Sequence, residues 1–386
     1  MRLLVIKELW HDRGGGEYAT RLILNLLKSY FDITVLTGEA RAEEPGIHYV
    51  YHPALTGLSR YRLWLSMKLS DLYEYIRRAD IVYIPRYAYP AIPLAKKLGK
   101  RVVVHLHGYM PVSYTSVVLA PYEQHKNKIM IDDLYLECSK GIVHCAGAAT
   151  MWWLAWLARK WIAQADAVIC VSKRHAQIIS DALPALKEKI IVAYNPPPPL
   201  DTVSKELGET PNFLYVGGDS YIKGFYTVLK IINLMGKRGI KAKFILTNNY
   251  GERARRMVSD IASRHSVVKV EVVGYVPRGQ LLKLYKEAWA VLVPSIWEEA
   301  FSYAVLEAAM SAAVPIASAV GGIPEITAGT PAEKFTVDPG EIPQKALELA
   351  QSDPRQVLKD AEKTREEVRR RFSPQEAVKR LLEAFV

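Results

Sequence analysis

Short apolar runs recur along the chain, and each gives way to a polar or glycine-rich loop and then to a segment with apolar residues at helical spacing. Residues 3–6, 33–36, 80–84, 101–106, 167–171 and 190–193 read as strands in the first half. Residues 212–216, 243–246, 267–273, 290–293 and 315–319 read as strands in the second. Between them lie helical patterns at 17–29 (Leu22, Leu24, Leu26, Leu27), 91–98, from Phe225 onward, 279–288 and 302–312. Helices over 342–351 and 354–371 follow, and Ser373-Pro374 caps and starts a last amphipathic helix to about residue 384. Strands alternating with helices predict an α/β chain with parallel sheets.

The densest information lies in residues 290–326, AVLVPSIWEEAFSYAVLEAAMSAAVPIASAVGGIPEI. A strand stopped by Pro294 leads into a loop with Glu298 and Glu299, then an Ala-rich helix, a second strand and Gly321-Gly322. The loop of such a βαβ unit lies at the carboxyl end of a strand, where open α/β sheets bind ligands. The first N–H groups of the helix, expected near Ala300, Phe301 and Ser302, carry the positive end of its dipole and suit a phosphate. Glu299 ahead of the helix and Glu307 in its second turn would accept hydrogen bonds from hydroxyls. A ligand with both phosphate and hydroxyl groups, such as a nucleotide sugar, satisfies both. On the residues alone, a strand-loop-helix unit with two surface glutamates fits as well.

Three other loops stand at strand ends. Gly14-Gly15-Gly16 follows the first strand and allows close backbone approach, although a plain flexible turn fits it equally. His105 and His107 end the strand at 101–106, and their period-two spacing puts both on one face. They read either as rim histidines or as donors to a ligand hydroxyl. Gly217-Gly218-Asp219-Ser220-Tyr221-Ile222-Lys223-Gly224 opens the second half. Lys223 there is a solvated loop lysine or a cation for a departing diphosphate.

Glu299, seven residues, then Glu307, set in PSIWEEAFSYAVLEA with VPIA and GG after it, resembles the E-x7-E signature of family-4 retaining glycosyltransferases. In that family's common pattern, two glycines stand where this chain has Ala300 and Ser302. The resemblance extends over nearly the whole chain. It implies the GT-B fold, two doubly wound Rossmann-like domains facing a cleft. It also implies transfer of a hexosyl or related sugar from a nucleotide diphosphate sugar to an acceptor hydroxyl, with retained configuration. In its terms Glu307 holds the ribose, and Glu299 approaches the donor sugar. Lys223 and the N–H groups near Phe301 and Ser302 steady the diphosphate. Gly15, Gly16 and His107 face the substrates, and Gly274-Tyr275-Val276 passes the base. The catalytic set is then Lys223, Glu299 and His107. Donor contacts come from Gly15, Gly16, Gly218, Lys223, Tyr275, Val276, Glu299, Ala300, Phe301, Ser302 and Glu307. The family's arginine position holds Gly218, so Lys223 and helix N-termini suffice, Arg13 or Arg278 substitutes, or the donor differs. No obligatory cofactor or metal is implied, and no Asp-x-Asp motif occurs.

The remaining features bound this picture. The 386 residues suffice for two domains, expected at 1–200 and 201–370, joined through the stiff run Asn195-Pro196-Pro197-Pro198-Pro199. Residues 371–386 are expected to return to the first domain. The net charge is +11. Residues 1–200 carry +8, which suits an acidic partner such as nucleotide phosphates, a phosphorylated or lipid-linked acceptor, or an anionic membrane. No dense basic block points to nucleic acid. Cys138, Cys145 and Cys170 form neither a disulfide framework nor a zinc pattern, so a reducing cytoplasmic setting is expected. The amino terminus does not read as a signal peptide. Residues 141–158 carry no full charge and include Trp152, Trp153 and Trp156. We expect a buried helix there. The second reading is a Trp patch flanked by Arg159 and Lys160, in peripheral contact with the inner face of a membrane. A nucleotide-sugar epimerase and a degenerate scaffold subunit are the alternatives to a transferase. Product analysis separates the first, and calorimetry with nucleotide sugars the second.

Overall fold

A computed structural model describes residues 1–10, 14–39, 44–56, 63–65, 67–123, 129–200 and 205–386. The chain forms two compact units, Met1–Pro196 with Ser373–Val386, and Pro197–Phe372. The division falls inside the proline run, slightly ahead of the expected boundary. His11, Asp12 and Arg13 of the first loop lie outside the described residues.

The first unit is built on seven parallel strands: β1 (Arg2–Ile6), β2 (Asp32–Thr37), β3 (His48–Tyr51), β4 (Ile81–Ile84), β5 (Arg101–Leu106), β6 (Ala167–Cys170) and β7 (Ile190–Val192). Their order is β3-β2-β1-β4-β5-β6-β7. Every residue of β4 and β6 is buried, as helices on both faces of a parallel sheet require. Those helices are α1 (Gly15–Leu27), α2 (Leu69–Arg78), α3 (Ala91–Lys97), α4 (Ile129–Cys138), α5 (Ile142–Met151), α6 (Trp153–Ile162) and α7 (Lys173–Ala182).

The second unit has six parallel strands: β8 (Asn212–Tyr215), β9 (Ala242–Thr247), β10 (Val268–Gly274), β11 (Ala290–Val293), β12 (Val314–Ser318) and β13 (Thr336–Val337), in the order β10-β9-β8-β11-β12-β13. Its helices are α8 (Phe225–Lys237), α9 (Glu252–Ser263), α10 (Arg278–Glu287), α11 (Tyr303–Met310), α12 (Ile323–Thr327), α13 (Ile342–Ala350) and α14 (Pro354–Arg371). Phe213 and Phe244 stack at 5.1 Å within the core between these layers.

The last helix, α15 (Pro374–Phe385), belongs to the first unit. Ser373 caps it by accepting the Glu376 N–H at 3.2 Å. Its Leu381, Ala384 and Phe385 join the core with Val5, Tyr83 and Val103. Burying Leu381 and Phe385 contributes about 1.5–3 kcal/mol each, enough to hold a helix that alone would be marginal in water.

Both sheets reverse their strand order once, between β1 and β4 in the first and between β8 and β11 in the second. At such a switch point the loops leaving the two strands diverge, and a crevice opens outside their carboxyl ends. The loops singled out in the sequence after β1, β8 and β11 all leave these strands.

Two expectations fail. Residues 141–158 are not one buried helix. They span α5 and most of α6, and Ala148 is the only buried residue of α5. An uncharged run shows that a segment tolerates burial, not that anything covers it. On α4 the usual sidedness is inverted, with Asp132, Asp133 and Glu137 buried and Met130, Ile131 and Tyr135 exposed. Asp133 is turned inward because it accepts from Ser113 Oγ at 2.7 Å and from the N–H groups of Tyr114 and Thr115. The cysteine expectation also changes. Cys138 and Cys145 form a disulfide between α4 and α5, while Cys170 is free and buried. A seven-residue spacing across a tight interhelical turn lets the two side chains meet.

Candidate active site

At the switch point of the second sheet, β8 and β11 run side by side, with Leu292 opposite Tyr215. The β8 loop turns back through Gly224, whose φ of 79° is left-handed. A Cβ at Gly224 would stand 1.8 Å from the Pro294 carbonyl oxygen, so only glycine lets the β8 and β11 loops press together here. The Ile296 N–H donates to the Ile222 carbonyl at 3.0 Å across the same seam.

This packing delivers Lys223 to Glu299. The Lys223 Nζ lies 2.7 Å from Glu299 Oε1, with the carboxylate almost wholly buried and the lysine about one-third exposed. Ser295 Oγ donates to the same oxygen at 2.6 Å, and the Lys223 ammonium stands 5.0 Å from the centre of the Trp297 ring. The ammonium is thus oriented by Glu299 and Trp297 of the facing loop, with Ser295 fixing the carboxylate. The adjacent Glu298 does a different job. Its Oε2 accepts the Gly321 N–H at 2.8 Å, and the Glu299 carbonyl accepts the Gly322 N–H at 2.7 Å, tying the β11 loop to the β12 loop.

The helix after this loop begins at Tyr303, later than expected. Its first-turn N–H groups are those of Tyr303, Ala304 and Val305, so Ala300 and Phe301 lie in the loop ahead of it. Ser302 is the N-cap, but its hydroxyl makes no capping hydrogen bond. Glu307 is buried on this helix and forms an ion pair with Arg278, at the start of α10. The Arg278 guanidinium is also 5.9 Å from the Tyr303 ring centre. Tyr275 is exposed, and Gly274 and Tyr275 lead from β10 toward α10 with Val276 between Tyr275 and Pro277.

Gly218 has a φ of 65°, and a Cβ there would lie 2.7 Å from the Asn249 carbonyl oxygen. The position that holds an arginine in the resembled pattern is therefore closed to any side chain in this backbone conformation. The neighbouring Asp219 accepts the Gly251 N–H at 2.8 Å and anchors the loop.

The first unit has its own switch-point cluster. A Cβ on Gly16 would approach His107 Cβ to 3.2 Å, so the start of α1 rests directly on this histidine. Gly15 is exposed beside it. The His105 and His107 rings stack at 4.3 Å, and the Tyr83 hydroxyl is 2.7 Å from His105 Nδ1. Both His107 ring nitrogens are buried with no hydrogen-bond partner among the described residues. Burial holds His105 down to about 3, aided by His175 and Lys7, and it pushes His107 well below the usual histidine range. Both rings are neutral at physiological pH. Next to them lies a charge cluster that the sequence reading missed. Arg86 sits 3.4 Å from Glu8 and 3.2 Å from Glu17. Burial pulls Lys7 down to about 8 and raises Glu8. The signal was present: Lys7-Glu8 directly follows the apolar run of β1, and Arg86 follows β4 by two residues.

Among the described residues no cluster of three or more His, Cys, Asp or Glu is placed to hold a metal ion. A separate cavity of about 620 Å³ lies at the opposite end of the second sheet, among Gly208, Asn212, Lys243 and Trp289, and includes none of the residues above.

Comparison with known proteins agrees with this architecture. The family model for glycosyl transferases group 1 matches residues 200–371, and that for glycosyltransferase family 4 matches residues 13–197. A glycosyltransferase of Methanocaldococcus jannaschii, MJ1607, is 26% identical over 260 residues, 60% of this chain and 63% of its own length. The chain thus spans under two thirds of that relative. Among solved structures, HepE of Anabaena in complex with UDP and glucose has a TM-score of 0.68 at 16% identity, covering 100% of this chain and 99% of its own. The trehalose-6-phosphate synthase OtsA has a TM-score of 0.71 at 11% identity, again covering 100% and 99%. At such identities the likeness is one of fold. With two parallel-sheet α/β units of GT-B type and both family models matched in sequence order, the chain belongs to the glycosyltransferases of group 1 and family 4.

Proposed function

We propose that the protein is a retaining, metal-independent glycosyltransferase that moves a hexosyl group from a nucleotide diphosphate sugar to an acceptor hydroxyl. The observation that carries this reading is the 2.7 Å pairing of Lys223 with Glu299 at the switch point of the second sheet, beside the start of α11. A cation and a helix N-terminus suit the charge that develops on a departing diphosphate, and their prior orientation avoids reorganisation during the reaction. Glu299 keeps the ammonium aimed and accepts from sugar hydroxyls. Glu307 holds the ribose. Tyr275 and Val276 border the base, and Gly218, Ala300, Phe301 and Ser302 line the donor. In the first unit, Gly15, Gly16 and neutral His107 form that sheet's own ligand edge, where the imidazole hydrogen-bonds a hydroxyl.

In this mechanism the bond from the anomeric carbon to the diphosphate oxygen breaks. The acceptor oxygen adds on the same face, and its proton passes to the departing phosphate. Arg278, already seated on Glu307, supplies the second cation that position 218 cannot carry. The pyrophosphate and ribose would compete for these two groups when the donor binds. The first unit, residues 1–200 as expected from the sequence, is the acceptor domain. The second, 201–370, is the donor domain. We take the acceptor to be lipid-linked or phosphorylated, in keeping with the basic first half, and the site of action to be a membrane surface.

HepE binds UDP and UDP-glucose, so UDP heads a thermal-shift screen that also includes GDP, ADP and their sugars. With the donor so identified, Lys223→Ala is expected to lower kcat about a hundredfold to a thousandfold. Glu307→Ala is expected to weaken nucleotide binding about tenfold or more. Unchanged kinetics in both variants would sink the assignment. A changed sugar still attached to nucleotide would instead identify an epimerase.

A further inference from the structure

The helices α4, α5 and α6 present an outer surface that water alone does not explain. On α5, Ile142 is 86% exposed and Val143 80% exposed. On α6, Trp153, Trp156 and Lys160 follow at helical spacing on one exposed stripe, continued by Trp152 at its start. The same helix turns its remaining tryptophan inward: Trp161 meets Trp64 edge-on at 5.2 Å. The outward stripe is therefore apolar while an inward position was open to the same residue type. A helix with a polar outer stripe is the norm for a solvated layer, and contiguous exposed apolar surface marks an interaction site.

Charge selects the occupant. No Asp or Glu occurs from Gly141 through Ala165. The carboxylates of α4 point inward, and Glu137 is paired with Lys140 at 2.6 Å and lies 3.1 Å from His144 Nδ1. Arg159 is spent on the Pro111 carbonyl at 2.6 Å. Lys160 remains outward, its ammonium 3.7 Å from the centre of the Trp156 ring. Half-exposed indoles with a lysine beside them, and no exposed acid between, fit the region where phospholipid headgroups meet acyl chains. Among the described residues no helix is long and apolar enough to cross a membrane, so these helices would lie on the bilayer.

We infer that the outer face of α5 and α6, clipped to α4 by the Cys138–Cys145 disulfide, docks the protein on an anionic phospholipid bilayer. The face is distinct from the proposed donor site, so its test does not depend on that activity.

The full-length chain is floated with vesicles of phosphatidylcholine alone and of phosphatidylcholine mixed with phosphatidylglycerol. Flotation is expected only with the anionic mixture. The combined substitution Trp152→Ser, Trp153→Ser, Trp156→Ser is expected to abolish it without lowering Tm, because all three indoles are half exposed. Lys160→Gln is expected to weaken binding about fivefold. Should the triple variant not fold, quenching of the native tryptophan fluorescence by brominated acyl chains decides the matter in the unaltered protein. Absence of flotation, undiminished flotation of a folded triple variant, or no quenching overturns the inference. So does a dimer in solution that the triple substitution converts to monomer, because a second copy would then cover the face.

Discussion

Gly218 illustrates how one backbone angle rewrites a binding site. A family pattern would suggest restoring an arginine there. At a φ of 65°, however, an L-residue costs about 1–2 kcal/mol, and the new Cβ would meet the Asn249 carbonyl at 2.7 Å. Gly218→Arg is therefore expected to lose at least that much stability in urea unfolding and to gain no turnover. A variant that is as stable as the native protein and faster would show that the loop rearranges freely. In the sequence, Lys223, Glu299 and Glu307 are singled out by their place in strand-loop-helix units and grouped by the resemblance to the E-x7-E signature. Neither reveals their pairings. Ser295 and Trp297 look like ordinary loop residues in sequence, and they gain meaning only because the loop folds them onto Glu299 and Lys223. Likewise, nothing in the spacing of Glu298 and Glu299 says that one is a clip for Gly321 and the other a partner of Lys223.

At the scale of elements, strands were the most legible. Residues 101–106 and 290–293 were read with the bounds that β5 and β11 have, since a run apolar on both faces has few other uses. Short β3 and β13 escaped, being partly exposed and brief. Helix starts were read within two residues, but the free N–H groups of α11 are those of its first turn from Tyr303, not of Ala300 and Phe301, which stay in a loop tied to Gly321 and Gly322. Sidedness was the least legible property. Hydropathy counts apolar residues without saying what covers them, so α5 read as buried although nearly all of it faces outward. The seam between the β8 and β11 loops has a sharper consequence. Gly224→Ala would drive a methyl group to within 1.8 Å of the Pro294 carbonyl oxygen, in a left-handed conformation. The loops must separate, carrying Lys223 off Glu299. We expect a stability loss of about 1–3 kcal/mol together with a fall in turnover. Native stability with native turnover would contradict the role given to this contact.

For the whole molecule, the alternation of strands and helices disclosed the α/β class, and the proline run suggested a division at about residue 200, a few residues past the one found between Pro196 and Pro197. What the pattern did not disclose is how unevenly titratable groups are distributed between the two units. The first unit buries three neutral histidines. His175 is lowered by burial to about 4 although the Gly108 carbonyl opposes the shift, His105 is held near 3, and His107 lies well below its ordinary value. Unfolding returns each imidazole to a value near 6.5, so on acidification the unfolded chain binds protons before the folded one does. The stability these groups contribute is therefore complete above about pH 6.5 and is lost as pH falls through the folded values, by up to about 1.4 kcal/mol per pH unit for each group. Two units with separate cores can melt in separate steps. In calorimetry of the full chain without nucleotide, between about pH 7.5 and about pH 5, the transition that includes the first unit should move down steeply with acid. A nucleotide diphosphate should raise the transition of the other unit instead, since a ligand stabilises the fold that binds it. If every transition holds its temperature across that pH range, the three imidazoles are not buried in neutral form, and the assignment of His107 as a neutral hydrogen-bonding group fails with them.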